Sequence, residues 1–210
     1  MTKTIKKDSL SIIVLEDNEG DYILIEDNLI EIFTNVKIQR YKSYESFSKD
    51  IFWKDFKWDA ILLDLNLMDI KGIELVENMV IQSSIPIIIL TGYVDLPLAN
   101  KSLELGVYDF LIKDEVNPAL LSKSIEFAIS RSSYVNQIES QNEKLKNIAW
   151  KQSHSVRAPL ARILGIINMI EISDGENKDL LFWIEQLKIS SNEMDSIIHQ
   201  IVNETEDFNK

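Results

Sequence analysis

The sequence has no cysteine and no apolar run approaching the ~18 residues that a transmembrane helix needs. The first absence excludes disulfides and thiolate metal sites. Basic residues are also scarce, since 22 Lys and Arg stand against 34 Asp and Glu, for a net charge of −12. An acidic surface repels nucleic acid and anionic lipid, because phosphate binding needs clustered Lys and Arg. We therefore expect neither a nucleic-acid partner nor a membrane partner.

The composition is that of a folded chain, with 45% hydrophobic and 27% charged residues. Its 210 residues fit one or two domains. The lysines near Met1 are not followed by an apolar segment, so the sequence predicts no secretory signal. The expected location is the cytoplasm.

The first half of the chain alternates between short β-branched runs and longer stretches with helical spacing. In the first of these stretches, Ile23, Ile30 and Phe33 repeat on one predicted helix face, with Asp17 and Asn18 as candidate caps. Alternation of this kind predicts an α/β fold with a doubly wound parallel sheet, whose functional groups gather at the carboxyl ends of the strands. The five predicted strands are Ser11–Leu15, Val36–Tyr41, Ala60–Leu63, Ile85–Leu90 and Val107–Ile112.

Polar residues follow four of these strands. Glu16 and Asp17 close the first, Asp64 the third, Thr91 the fourth and Lys113 the fifth. Neighbouring carboxylates repel and their pKa values rise unless a cation joins them, and a hard divalent cation such as Mg²⁺ suits oxygen ligands. Acids that face a hydroxyl and an ammonium suit phosphoryl transfer to a carboxylate. Asp64 would be the nucleophile, and the metal and Lys113 would neutralise the phosphoryl oxygens.

This set of residues resembles the response regulator receiver domain over about residues 8–127. The resemblance implies that Asp64 accepts the phosphoryl group. It also implies that Glu16, Asp17 and Asp64 hold Mg²⁺ together with the backbone carbonyl of Asn66, and that Thr91 binds the phosphoryl group.

Two further positions of the resemblance are less specific. Phe110, three residues before Lys113, stands where the family has its switch aromatic, although plain core packing explains it nearly as well. The family usually has proline after this lysine, with a cis peptide bond, whereas Asp114 follows here. Because a cis bond before a residue other than proline costs about 2.5–4 kcal/mol, we expect a trans bond.

After Pro118 the pattern becomes helical, and the last receiver helix is predicted to continue through a polar stretch over 131–146. Two strict heptad seams follow, separated by a turn over 173–177. A hairpin of two such helices cannot hide all its apolar surface, which favours a homodimeric four-helix bundle through residues 147–208. The alternative is that the hairpin packs on the first domain. The seams are Ala149, Ser153, Val156, Leu160, Ile163, Ile167, Ile170, and Leu180, Ile184, Leu187, Ser191, Met194, Ile198, Ile201.

One of the two histidines lies within the first seam helix, in the string QSHSVRAPL. His154 lies beside the seam, where an accessible imidazole can act as a nucleophile towards phosphorus. With Arg157, Pro159 and Leu160 it resembles the dimerisation and histidine-phosphotransfer domain of sensor histidine kinases, over about residues 145–208. That resemblance implies a phosphorylated His154. His199 has no motif around it and is interpreted as a surface residue.

Two departures from the kinase pattern affect the expected activity. Ser155 replaces the acidic residue that serves as general base, and no nucleotide-binding segment is found in the sequence. We therefore expect no ATP-dependent autophosphorylation by this chain alone.

The predicted organisation is a receiver over 1–127, a helical linker over 128–146 and a histidine-bearing hairpin over 147–210. The predicted function is that of a phosphorelay protein, whose partner is a sensor histidine kinase, another receiver or a phosphotransfer protein. Two alternatives stay open. One is a non-catalytic interaction module or kinase regulator switched by phosphorylation of Asp64, and the other is a fragment of a hybrid histidine kinase.

Overall fold

The structure, a computed structural model, describes residues 9–92, 95–172 and 180–207. Within these residues, strands and helices alternate up to a very long helix, and a last helix follows it. Single 3₁₀ turns cover Phe52–Asp55 and Lys113–Glu115. The elements are β1 (Leu10–Leu15), α1 (Glu19–Ile32), β2 (Val36–Tyr41), α2 (Tyr44–Lys49), β3 (Ala60–Asp64), α3 (Gly72–Gln82), β4 (Ile87–Thr91), α4 (Leu96–Glu104), β5 (Asp109–Ile112), α5 (Pro118–Ile172) and α6 (Leu180–Asp207).

The strands form one parallel sheet in the order β2-β1-β3-β4-β5. This order confirms the predicted doubly wound sheet. The order reverses direction at β1 and β3, so the crevice between their carboxyl ends is the expected place for a functional site. Asp64 pairs with Leu90 and Thr91 with Ile112 in the register, which brings these polar residues to the same edge.

Side chains of the central strands alternate between two cores, one on each face of the sheet. From β1, Ile12 and Val14 enter the core under α1 and α5, whereas Ile13 and Leu15 enter the core that packs against α2 and α3. All five residues of β3 and of β4 are buried, as expected for strands covered on both faces. The covered sheet gives the residues at its carboxyl edge a rigid support.

Local sequence sets the ends of the helices around that edge. Asn18 caps α1, because its side-chain oxygen accepts hydrogen bonds from the backbone N–H groups of Gly20 (2.8 Å) and Asp21 (3.1 Å). Gly72 begins α3 with φ +62°, a left-handed conformation that glycine adopts without strain. The predicted cap on Asn18 is thus confirmed.

The buried face of α1 differs from the predicted one. Ile25 and Leu29 are buried in the core, whereas Ile23 and Ile30 are 46% and 59% exposed. Apolar residues occupy most of the circumference of α1, so their spacing fits more than one face. The face that packs is the one that complements β1 and α5.

The chain divides between Asn136 and Gln137 into two compact units. The second unit contains the end of α5 and all of α6, and the predicted turn over 173–177 lies outside the described residues. In the described part of the chain, no helix is both long and apolar enough to cross a membrane.

The hairpin buries only part of the predicted seam, in which alternate residues of α5 (Val156, Ile163 and Ile170) are half-buried. Among the described residues of this unit, Pro159, Ile166 and Ser190 are the fully buried ones, and none of them belongs to either seam. Leu160 and Ile167, both on the first seam, are 42% and 39% exposed. The intra-hairpin contact therefore lies to one side of the seam, and part of the seam faces outward. The side chain of Leu180, the first residue of the second seam, lies outside the described residues.

Candidate active site

Three predicted carboxylates meet at the carboxyl edge of the sheet. Glu16 and Asp17 follow β1, and Asp64 is the last residue of β3. Each offers an oxygen, and these oxygens lie within 4.8 Å of one another. Glu16 and Asp64 are buried and Asp17 is half-buried. The neighbouring strands β1 and β3 thus bring together the acids that the sequence analysis assigned to one site.

Lys113 supplies the positive charge of this cluster. Its Nζ lies 2.7 Å from Oε2 of Glu16, 3.0 Å from Oδ2 of Asp64 and 2.7 Å from Oδ2 of Asp21. Asp21, in the first turn of α1, was not among the predicted site residues. The sequence signal for it was an acid in the first turn of the helix that follows Glu16 and Asp17.

Burial and charge shift two pKa values in the cluster. Burial, opposed by the Lys113 ammonium and reinforced by the charge of Asp64, raises the pKa of Glu16 to about 6. Burial alone would lower the pKa of Lys113, but its contacts with the carboxylates of Asp21, Glu16 and Asp64 outweigh burial and raise the pKa of Lys113 above its usual range. At neutral pH one ammonium faces several carboxylates, so the cluster has a negative excess.

The donor set fits a hard divalent cation. All candidate ligands are carboxylate oxygens, which Mg²⁺ prefers to nitrogen or sulfur ligands. Oε2 of Glu16 is buried and has the ion pair with Lys113, but no hydrogen bond of good geometry among the described residues. Burial is the main reason that the pKa of Glu16 is raised, so the metal-free site holds the charged form of Glu16 at a cost. A cation beside the three acids would neutralise it.

The other predicted positions surround this cluster. Thr91 ends β4 and is buried. The backbone N–H of Asn66 donates to Oδ1 of Asp64 at 3.1 Å, so the Asn66 loop is tied to the central acid. Phe110 is half-buried and packs against the core on the α3 face. The peptide bond between Lys113 and Asp114 is trans, as expected.

Arg40, on β2, is a further residue at the site that the sequence analysis missed. Its guanidinium donates to the backbone carbonyl oxygens of Glu16 (3.0 Å) and Asp17 (3.2 Å), and to the Glu19 carboxylate (2.7 Å). The sequence signal for it was a basic residue near the end of the strand beside β1. Recognising that signal required the strand order, because β1 and β2 are neighbours only in the folded sheet.

The predicted histidine lies in the second unit. His154 is exposed on α5, and its ring centroid is 4.4 Å from that of Trp150, one turn earlier. His199 is also exposed, on α6, with Nδ1 at 2.9 Å from the backbone oxygen of Asp195. The hairpin thus leaves the imidazole of His154 accessible, as the sequence predicted.

Comparison with known proteins identifies relatives of the first unit. The family model of the response regulator receiver domain matches residues 12–126. The chain is 30% identical over 115 residues to sporulation initiation phosphotransferase F of Bacillus subtilis. The match covers 52% of this chain and 89% of that protein. It is 24% identical over 127 residues to the transcriptional regulatory protein FixJ of Rhizobium meliloti. This match covers 59% of this chain and 60% of FixJ. The match to the DctD regulator of Pseudomonas aeruginosa, at 30% identity, spans 48% of this chain and 21% of DctD.

Solved structures share the fold of the same unit. A response regulator receiver domain protein from Clostridium thermocellum superposes with a TM-score of 0.52 at 22% identity, and covers 60% of this chain and 98% of that one. The receiver domain of a LuxO repressor protein from Vibrio parahaemolyticus gives 0.52 at 22% identity, with coverage of 62% and 98%. At these identities the likeness concerns the fold alone.

Proposed function

The chain belongs to the response regulator receiver domain family, and from that premise we propose that Asp64 is its phosphoacceptor. Receivers take a phosphoryl group on an aspartate. Asp64 is the acid at the centre of the cluster, since Lys113 and the Asn66 loop both contact its carboxylate. Its place at the end of β3, the central strand, beside Lys113 is the observation that carries the proposal, because Glu16 has similar contacts but follows the neighbouring strand β1.

The proposed reaction is an in-line transfer to one carboxylate oxygen of Asp64. That oxygen forms a bond to phosphorus while the bond from phosphorus to the donor, a phosphohistidine nitrogen or an acyl oxygen, breaks and its electrons leave with the donor. Mg²⁺, held by Glu16, Asp17 and Asp64, would offset negative charge on the phosphoryl oxygens. Lys113 donates to the phosphoryl group from its position beside Asp64, and the Thr91 hydroxyl, at the adjacent strand end, binds another of its oxygens.

Acetyl phosphate with Mg²⁺ tests this assignment directly. We expect intact-mass spectrometry to find one added phosphoryl group on the wild type and none on Asp64→Ala. Asp114→Asn is the matched control, since it removes one carboxylate charge beside Lys113 on an exposed residue and should leave phosphorylation intact. Undiminished phosphorylation of Asp64→Ala would contradict the proposal.

We further propose that the second unit is a phosphotransfer hairpin with His154 as its phosphorylatable residue. Exposure of the ring and its position on a long rigid helix support this role. With Asp64→Ala blocking the receiver, label from a phosphorylated partner receiver should appear on the hairpin. It should vanish in His154→Ala and persist in His199→Ala, whose substituted histidine is also exposed. No label is expected from ATP, because Ser155 supplies no general base.

The hairpin's remaining apolar surface supports a homodimer through residues 147–208. Leu160, Leu164 and Ile167 lie exposed along one side of α5, and Ile184 and Ile198 lie exposed on α6. A second hairpin would cover these side chains and complete a four-helix bundle.

The second candidate function is a docking module that regulates a kinase. Ser155 stands where an acid would serve as general base, so the hairpin lacks a group for its own phosphorylation chemistry. Docking to a partner needs no such group, and this favours the second candidate. Partner binding that depends on phosphorylation of Asp64 and persists in His154→Ala, with no label on the hairpin, would support this candidate.

A further inference from the structure

The guanidinium of Arg40 is nearly fully engaged at the edge of the acid cluster. The side chain is only 12% exposed. Nε donates to the carbonyl oxygen of Glu16 at 3.0 Å, one terminal nitrogen donates to that of Asp17 at 3.2 Å, and the other donates to Glu19 at 2.7 Å. Its central carbon lies 4.2 Å from the centroid of the Tyr22 ring. Arg40 therefore connects β2 to both ends of the segment between β1 and α1.

That segment carries two of the three candidate metal ligands. Glu16 also accepts a hydrogen bond from the backbone N–H of Asn18 at 3.1 Å, and Asn18 caps α1. A cation site binds well when its ligands already hold the required separation, since otherwise binding must also order them. By fixing two successive carbonyl oxygens, Arg40 restricts the backbone rotation that would move the carboxylates of Glu16 and Asp17 apart.

We propose that Arg40 is a positioning residue for the divalent cation, and that it raises Mg²⁺ affinity by holding the segment of Glu16 and Asp17 in place. The proposal rests on the metal site of the proposed function. It makes a prediction opposite in sign to simple electrostatics. Removing a positive charge near an acid cluster should by itself strengthen cation binding, whereas loss of positioning weakens it.

Lys42 offers a matched comparison within the same structure. Its Nζ lies 3.2 Å from the same Glu19 carboxylate that Arg40 contacts. Its side chain is 66% exposed, and among the described residues its hydrogen bonding is to Glu19 and to neither carbonyl oxygen. Arg40→Gln and Lys42→Gln therefore remove the same charge near the same partner, but only the first removes the backbone contacts.

The experiment is a calorimetric Mg²⁺ titration of the full chain, without any phosphodonor. We expect Arg40→Gln to weaken Mg²⁺ binding by about tenfold, at the lower end of the range for residues that support metal ligands. Lys42→Gln should change the affinity less than twofold. Arg40→Lys keeps the charge but has no planar fork for two carbonyl oxygens, and it should also weaken binding, by at least about threefold. This variant decides the question if Arg40→Gln does not fold, as judged by circular dichroism.

A second readout separates positioning from a role in the transfer step. With acetyl phosphate as donor, Arg40→Gln should need about tenfold more Mg²⁺ for half-maximal phosphorylation but should reach the wild-type rate at saturation. Unchanged or tighter Mg²⁺ binding by both Arg40 variants would overturn the role of Arg40 while leaving the metal site in place. A wild type that binds no Mg²⁺ would overturn the metal site itself, and the role of Arg40 with it.

Discussion

Replacing Glu16 by Gln removes a buried negative charge while keeping the size of the side chain, so the metal-free chain should become more stable at neutral pH. Glu16 is fully buried, and burial is the main reason that its pKa rises to about 6. Glutamine resembles the protonated form, which can be buried without the cost of desolvating a charge. The predicted gain is therefore the free energy that the folded chain spends in keeping Glu16 ionised.

The magnitude follows from the two pKa values. Between pH 4.5 and about 6 the folded chain binds more protons at Glu16 than the unfolded chain does. Stability due to the protonated form is thus complete below pH 4.5 and is lost as the pH rises through 6. At about 1.36 kcal/mol per pKa unit, the ionised side chain costs about 2 kcal/mol above pH 7 and about 0.8 kcal/mol at pH 5. Glu16→Gln should gain these amounts.

Urea unfolding in EDTA between pH 5 and pH 8 measures the effect. The buried Trp53 and Trp58 report on the receiver when Trp150 and Trp183 are replaced by Phe in every variant. The advantage of Glu16→Gln over the wild type should grow from about 0.8 to about 2 kcal/mol across this range. Glu77→Gln makes the same charge change on an exposed residue, and it should shift stability by less than about 0.5 kcal/mol with no pH trend. A variant no more stable than the wild type at pH 8 would refute the reasoning.

Mg²⁺ should reduce or reverse the stability advantage of Glu16→Gln over the wild type. At a concentration of 100 times the dissociation constant, a bound ligand stabilises the folded chain by about 2.7 kcal/mol. The wild type gains this amount, while Glu16→Gln, which has lost one carboxylate ligand, gains less. Equal stabilisation of both chains by Mg²⁺ would show that Glu16 does not bind the cation.

Two further perturbations test the charge balance and the hairpin. Lys113→Ala leaves the carboxylates without their counter-ion and should destabilise the metal-free chain by about 3 kcal/mol in urea unfolding; Asp21→Asn, at a partly exposed acid, should cost less than about 1 kcal/mol. Ile167→Asp should convert a dimer into a monomer of 24.2 kDa in sedimentation with its helicity retained, whereas Met169→Asp, about 200° further round α5, should leave the dimer intact. A monomeric wild type would contradict the proposed bundle.

The sheet and its acid cluster were predictable because both depend on features local in sequence. Each strand was predicted from a short apolar run, and Glu16, Asp64, Thr91 and Lys113 each directly follow such a run. Parallel strands place those ends at one edge whatever the details of packing. Glu16, Asp64 and Lys113 meet as predicted because their positions follow from the strand order alone.

Arg40 and Asp21 were missed for a physical reason. Arg40 donates to backbone carbonyl oxygens of the segment that follows the neighbouring strand β1, and a backbone partner leaves no mark on the sequence. Asp21 lies in the first turn of α1. An acid at that position already has the ordinary role of complementing the helix dipole. Only the contact of Asp21 with Lys113, 92 residues away, shows its second role.

The hairpin shows how a heptad pattern can predict the existence of an interface but not which partner each residue contacts. The buried face of α5 contains Pro159 and Ile166, and Ser190 is the fully buried residue of α6 within the described part of the chain. The seam residues Leu160 and Ile167 each directly follow one of these buried residues of α5 and lie on the outer side of the contact. A single hairpin would not need apolar residues at these positions, and each exposed aliphatic side chain forgoes about 1.5–3 kcal/mol of burial. We therefore expect a second copy to cover these side chains, as in the homodimer proposed above.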